Sequence, residues 1–246
     1  METKDSKVVY IEDDIEKIHA KTNLYLKSYG QIGVFHLVKE MIQNGWDECQ
    51  NPMSSGYAVI AKIDTLENSI TVEDNGRGIS EEDYPLEICC TKLQAGSKFQ
   101  GDDGSVGAGE FGIGITLVNA LSDTFMMESY REKERVIHRI VFHEGKKVED
   151  TKREMGKKDK RHGLIVKMIP SSKYLGKDCG IPVDMIREWI VKNSHFFSDK
   201  LVTELEVTSG FKQISHEVFK KKDIMGLIDD LLGEEVIIKP FMMSGY

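Results

Sequence analysis

The chain has 246 residues, of which 40% are hydrophobic and 30% charged, and its formal net charge is −8. This composition is typical of a globular protein with one large domain or two small ones, and it excludes collagen, coiled coil and long disorder. No apolar run approaches the ~20 residues of a membrane helix, and the N-terminus lacks a signal peptide's apolar core, so we expect a cytoplasmic protein that does not contact membranes.

The first half of the chain predicts a helix followed by a hairpin. Apolar residues recur at helical spacing over residues 31–49, and Pro52 ends the pattern. Two short β-rich runs follow, at residues 57–63 and 69–73, with a turn between them. A glycine-rich turn, DNGRGI at 74–79, comes directly after the second run.

The second half mixes strands and helices. The patterns predict strands at 135–142, 164–169 and 200–208, and helices at 115–121, 183–197 and 222–232. Because the order lacks the regular βαβ alternation of a doubly wound sheet, the sequence predicts an α+β sandwich.

Residues 144–162 form a basic exception in an acidic chain. They carry eight Lys or Arg against five Asp or Glu, whereas the whole chain has 33 against 41. The run has no apolar periodicity and lies between two predicted strands, so we expect a solvated basic hairpin loop. Contact with DNA is one interpretation of the loop, although charge runs more often only keep loops solvated. The net charge of −8 argues against the whole chain being a phosphate-backbone binder.

Polar side chains spaced four residues apart form one stripe along the first predicted helix: His36, Glu40, Asn44 and Glu48. Alone, such a stripe is typical of a solvent-facing edge. Here two glycine-rich segments accompany it, the turn at 74–79 and a loop at 101–114 that precedes a helix. Glycines let backbone approach phosphate oxygens, and a helix start supplies N–H donors. The combination predicts a nucleotide site.

The residue types in this set suit ATP and magnesium. Asn44 offers a neutral oxygen to Mg²⁺, and Glu40, one turn earlier, can accept a proton from an attacking water. Asp74 can accept a hydrogen bond from an exocyclic amino group such as that of adenine, and Lys98 can balance charge on the phosphates. No G-x-x-x-x-G-K-[ST] is present, so P-loop chemistry is not indicated.

These motifs, in this order, resemble the GHKL ATPases, and among them the ATPase domain of the type IIA DNA topoisomerase B subunits, those of bacterial DNA gyrase and topoisomerase IV. Four blocks carry the resemblance: FHLVKEMIQNGWDE at 35–48, NSITVEDNGRGIS at 68–80, LQAGSKF at 93–99 and GEFGIGITLVNALSD at 109–123. The resemblance implies a two-layer α/β sandwich, with helices on one face of a mixed, mostly antiparallel sheet.

For the phosphate end, the resemblance implies that Glu40 is the general base, that His36 orients it and that Asn44 binds magnesium. Lys98 would act on the phosphates as a catalytic and binding residue. The lid backbone would hold the phosphates through Gly109, Gly112, Ile113 and Gly114.

For the adenine end, the resemblance implies that Asp74 binds the amino group, with Gly78 and Ile79 beside the ring. An ion pair of Glu48 and Arg77 would form the pocket wall. Two further positions follow from the same match. Arg131 would lie at the mouth of the pocket, and Leu164 replaces a family threonine, so that polar contact is expected to be lost.

The implied function is that of an ATP-binding and ATP-hydrolysing domain, acting as a nucleotide-gated dimerisation clamp in DNA strand passage. The chain would form a homodimer when it binds ATP. The A-type topoisomerase subunit and DNA would be bound through parts of the protein that are not in this chain. We expect a single ATPase domain over 1–246, with an N-terminal arm and first strand region at 1–20 and without transducer and DNA-cleavage modules. Two alternatives stay open: another GHKL ATPase, MutL-like or chaperone-like, and a non-catalytic nucleotide-sensing interaction module.

Overall fold

The computed structural model describes residues 12–80, 85–93 and 113–222, together with Gly226. The strands in these ranges are β1 Ala58–Asp64, β2 Ser69–Asp74, β3 Ser122–Arg131, β4 Val136–His143, β5 Lys146–Glu154, β6 Gly163–Pro170, β7 Val202–Ser209 and β8 Lys212–Lys220. The α-helices are α1 Asp14–Ala20, α2 Thr22–Tyr25, α3 Gly30–Gln50, α4 Leu86–Thr91, α5 Gly114–Ala120, α6 Ser172–Leu175 and α7 Val183–Asn193, and a 3₁₀ turn follows at Ser194–Phe196.

The strands form one mixed sheet, in the order β5-β4-β3-β6-β2-β1-β7-β8. Only β1 and β7 pair in parallel among the described strands, and the other pairs are antiparallel. Alternate residues of β1 are buried under the helices, as expected for a sheet covered on one face. The predicted α+β sandwich, with a mixed and mostly antiparallel sheet, is confirmed.

Helix α3 is the centre of the core. Its apolar residues recur at helical spacing, and Val34, Val38 and Ile42 are completely buried. Trp46 fixes the far end of the helix because its indole Nε1 donates a hydrogen bond of 2.8 Å to Thr203 Oγ1 on β7. This packing holds the polar stripe of α3 at a fixed position over the sheet.

Residues 144–162 require the main correction to the fold that the sequence predicts. Residues 146–154 are not loop: they form β5, which pairs along its length with β4 through a two-residue turn, Glu144 and Gly145, both at positive φ. The strand predicted at 164–169 exists as β6 but pairs with β3 and β2, not β4. An edge strand that is exposed on both faces has no apolar alternation to reveal it.

The fold differs from the sequence-based expectation in other elements as well. The arm and first strand region expected at 1–20 include a helix, α1, whose N-cap Asp13 accepts a hydrogen bond from Glu16 N at 3.0 Å. Strands β3 and β8 were not predicted. The helix predicted at 222–232 lies almost wholly outside the described residues. No described helix is long and apolar enough to cross a membrane.

Candidate functional site

A cavity of about 220 Å³ lies between α3 and the sheet, close to the end of β2. An apolar cavity of about 150 Å³ accommodates a benzene ring, so this one has room for a fused two-ring heterocycle. Three polar side chains face it, Asn44, Glu48 and Asp74, and most of the remaining wall is apolar. The lining residues are Met41, Asn44, Gly45, Glu48, Val72, Asp74, Gly78, Ile79, Cys89, Ile115, Met127, Leu164 and Val166. Such a wall suits a flat, largely apolar ring with a few polar atoms.

Asp74 is the acid at the end of β2 where the glycine turn begins. Its Oδ1 accepts a hydrogen bond of 2.8 Å from Gly76 N. Burial, together with the nearby Glu48 charge, raises the pKa of Asp74 to about 7, although the Gly76 bond opposes this shift. An acid that titrates near neutral pH in a cavity is a mark of functional sites.

Glu48 and Arg77 form a two-pronged ion pair beside this acid. The guanidinium Nε and Nη2 donate to the two oxygens of Glu48, each at 2.8 Å, and Arg77 N donates to Oε1 at the same distance. Burial alone would raise the pKa of Glu48, but the bonds from Arg77 outweigh it and lower the pKa. The two carboxyl groups of the cavity are therefore shifted in opposite directions.

Two side chains of β3 hold the glycine turn in place. Ser129 is fully buried, and its Oγ accepts a hydrogen bond from Ile79 N at 2.8 Å and donates one to Ile79 O at 3.1 Å. Arg131 donates from Nη1 to Arg77 O at 3.0 Å. The structure thus places Arg131 against the backbone of the turn. Ser129 was missed by the sequence reasoning, because it acts on backbone atoms from a strand 50 residues further along the chain.

The start of β6 braces the same turn from another side. His162 Nδ1 lies 2.9 Å from Gly76 O. Gly163 has φ +113°, and a Cβ built on it would lie 2.0 Å from Asp74 O. Only glycine fits this backbone contact. Leu164, the next residue, lines the cavity with an apolar side chain.

Glu40 lies on α3, one helical turn before Asn44, and its carboxylate contacts the start of α5. A Cβ built on Gly114 would lie 2.1 Å from Glu40 Oε2, so the carboxylate packs directly against this glycine. His36, one turn earlier on α3, is exposed over part of its surface. Burial of part of its ring and the nearby Lys39 charge lower the pKa of His36, which favours the neutral imidazole at pH 7.

The structure thus brings one group of the predicted site residues together around the cavity: Asn44, Glu48, Asp74, Gly78 and Ile79. Arg77 joins them through its ion pair, and Glu40 and Gly114 lie against each other. Ile113 is the residue before α5. The remaining predicted residues, Lys98, Gly109 and Gly112, lie outside the described residues.

A protein-family model described as "Histidine kinase-, DNA gyrase B-, and HSP90-like ATPase" matches residues 30–159, more than half of the chain. The chain belongs to this ATPase family. The matched region contains α3, the glycine turn and α5, and hence most of the cavity wall. Family membership and cavity geometry therefore concern the same part of the molecule.

Curated relatives within this ATPase family are topoisomerase subunits. The DNA gyrase B subunit of Mycoplasma pneumoniae is 33% identical over 180 residues, which are 70% of this chain and 27% of that protein. The DNA topoisomerase 4 B subunit of the same organism is 29% identical over 241 residues, 94% of this chain and 36% of that protein. The DNA gyrase B subunit of Thermotoga maritima is 33% identical over 177 residues, 69% of this chain and 27% of that protein. The chain spans about a quarter to a third of the length of these relatives.

Proposed function

We propose that this ATPase-family chain binds ATP with its adenine in the cavity and hydrolyses it. The supporting observation is the acid Asp74 at the end of β2, facing an apolar cavity that the Glu48–Arg77 pair bounds. The adenine amino group donates to the Asp74 carboxylate, and the ring lies against apolar side chains such as Ile79. The Asp74 carboxylate keeps acceptor sites beyond the one that Gly76 N occupies, and a site built to accept a hydrogen bond selects strongly for a ring with an amino group at that position.

Hydrolysis is assigned to the polar stripe of α3. Glu40 accepts a proton from the attacking water, and the neutral His36, one turn away, orients it. The Asn44 side chain faces the cavity and supplies one neutral oxygen, which fits Mg²⁺ because this ion combines few protein oxygens with phosphate oxygens and water. When bound, the ion neutralises phosphate charge. Lys98 and the lid backbone, from Gly109 to Gly114, hold the phosphates.

At the level of the whole protein, we propose the ATPase domain of a type II DNA topoisomerase that works as a nucleotide-gated dimerisation clamp. The support is the identity of the relatives, which are named gyrase and topoisomerase 4 B subunits. A second copy binds when ATP binds. The A-type subunit and DNA are engaged in the complete assembly, which needs parts beyond the region that this chain matches.

Glu40→Ala tests the assignment of hydrolysis. We expect Mg·ATP affinity, measured by calorimetry, to stay within about threefold of wild type, because Glu40 does not line the cavity. Phosphate release should fall by roughly 10²–10⁴-fold, the usual contribution of a general base. Glu16→Ala, a change of an exposed helical glutamate, is the matched control and should hydrolyse ATP at the wild-type rate.

The same assay separates the alternatives. Phosphate release by wild type that Glu40→Ala abolishes would exclude a non-catalytic nucleotide-sensing module. Unchanged turnover in Glu40→Ala would remove Glu40 from the role of base. Supercoil relaxation by the complete, reconstituted complex would separate a topoisomerase from a MutL-like or chaperone-like ATPase.

A further inference from the structure

Residues 152–161, here called the basic segment, are unlike the rest of the molecule in charge. They contain six Lys or Arg and two Asp or Glu, a net charge of +4 within a chain of net charge −8. The segment comprises the end of β5, at one edge of the sheet, and the connection to β6. The proposed ATP chemistry uses none of these residues.

The basic segment covers the sheet face opposite to the cavity. Ser129 points toward the glycine turn, so its neighbour Tyr130 points to the other face. There Tyr130 packs with Ile137 and Met155 in a small apolar cluster separate from the main core. The guanidinium of Arg161 lies over the Tyr130 ring, 4.4 Å from its centroid. The segment therefore has its own anchor on the sheet.

Hydrogen bonds from Arg135, in the turn between β3 and β4, fix the backbone of the basic segment. Arg135 donates from its guanidinium to the carbonyl oxygens of Met155, Gly156 and Asp159. Its own carbonyl accepts a bond of 2.8 Å from Met155 N, and Asp159 N donates to Gly156 O at 2.8 Å. One arginine thus closes a turn whose shape is set before any partner arrives. Such preorganisation lowers the entropy cost of binding.

The acid within this turn is already engaged. Arg161 donates to both oxygens of Asp159, at 2.7 Å from Nη2 to Oδ2, and these bonds lower the pKa of Asp159 to about 2. Lys157, Lys158 and Lys160 are exposed, and no carboxylate of the described residues forms an ion pair with them. Three uncompensated ammonium groups therefore project from a fixed turn.

We propose that the basic segment binds the sugar-phosphate backbone of duplex DNA. The charge and the fixed turn call for a polyanion, and the choice of DNA rests on the proposed topoisomerase function. This places a DNA contact within the chain itself, whereas the family resemblance assigned DNA contacts to parts outside it. Binding is independent of sequence, because ammonium groups read phosphates and not base edges. It is weak at physiological salt and strengthens as salt is lowered.

The test is fluorescence anisotropy with a 5′-fluorescein-labelled duplex of about 20 base pairs. KCl is varied from about 25 to 200 mM, because affinity that rests on phosphate contacts falls steeply as salt rises over this range. The variant K157Q/K158Q/K160Q is compared with K177Q/K212Q/K220Q, which changes three other exposed lysines, two of them on β8 at the opposite sheet edge. We expect the first variant to lose at least about tenfold in affinity at the lowest salt. Its log–log salt slope should be smaller by about two to three, or about 0.9 per lost phosphate contact.

Equal losses in the two variants, or no wild-type binding at the lowest salt, would overturn the proposal. Tighter wild-type binding to phosphatidylserine vesicles than to the duplex would assign the surface to a membrane and also overturn it. Calorimetry with Mg·ATP on the same proteins keeps the two proposals apart. Both lysine variants should bind ATP as wild type does, and failure of wild type to bind ATP would contradict the proposed function without affecting the DNA result.

Discussion

Replacing Asp74 by Asn should stabilise the protein at alkaline pH while weakening nucleotide binding. The folded chain holds the pKa of Asp74 at about 7, against 3.8 for an ordinary aspartate. A carboxyl group whose pKa is raised by folding makes its full contribution to the free energy of unfolding below its ordinary pKa, here 3.8. That advantage is lost as the pH rises through about 7, because the folded state must then hold a desolvated charge.

The magnitude follows from the two pKa values. Between about pH 5 and pH 8, the titration of Asp74 should lower the free energy of unfolding of wild type by about 2–3 kcal/mol. Asn keeps an oxygen that can accept the 2.8 Å bond from Gly76 N and does not titrate. The free energy of unfolding of Asp74→Asn, relative to wild type, should therefore increase by this amount over the same range.

The assay is urea unfolding of both proteins at the two ends of this pH range, since other titrating groups are shared and cancel in the comparison. Asp64→Asn is the matched control at the far end of the same hairpin. The hydrogen bond from the backbone of Gly210 is the main cause that lowers the pKa of Asp64, so this carboxyl group does not titrate in the pH range of the assay. Its variant should be destabilised equally at both pH values. If Asp74→Asn shows no larger advantage at the alkaline end than at the acidic end, folding does not raise the pKa of Asp74.

Two glycine substitutions test the contacts around the site. Gly114→Ala should lower ATP turnover more than ATP affinity, because the new methyl group would displace the Glu40 carboxylate. Phosphate release measures turnover and calorimetry measures affinity. Equal losses of the two would contradict this prediction. Gly163→Ala should destabilise the protein by roughly 2 kcal/mol or more, since it combines a φ of +113° with a clash against Asp74 O. Gly156→Ala, where a Cβ would meet nothing within 4 Å, is its control in thermal melts and should differ from wild type by less than about 1 kcal/mol.

Elements with a strong apolar period were predictable from the sequence. Helix α3 and the β1–β2 hairpin lie within a few residues of the predicted bounds, because one face of each is buried and the sequence alternates accordingly. Strand β5 could not be predicted in this way, since the sheet edge leaves both its faces exposed. Strand β8, at the other edge, has the same difficulty.

The site shows a similar division. The α3 stripe and the turn beginning at Asp74 were accessible because spacing along one helix, or within one turn, places side chains together. Ser129 and His162 were not accessible. Each supports the turn from a part of the chain that is distant in sequence, and each bonds to backbone atoms, which leave no pattern of residue types.

A calorimetric comparison of Mg·ATP and Mg·GTP binding to the wild-type chain is the sharpest test of the proposed adenine site. It is made at about pH 8, where Asp74, with its pKa of about 7, is ionised. We expect ATP to bind at least about 100-fold more tightly than GTP. In the proposed complex the adenine amino group donates to the Asp74 carboxylate, whereas the guanine carbonyl oxygen at that position would leave two acceptors facing each other. Equal affinity for the two nucleotides would contradict the placement of adenine in this cavity.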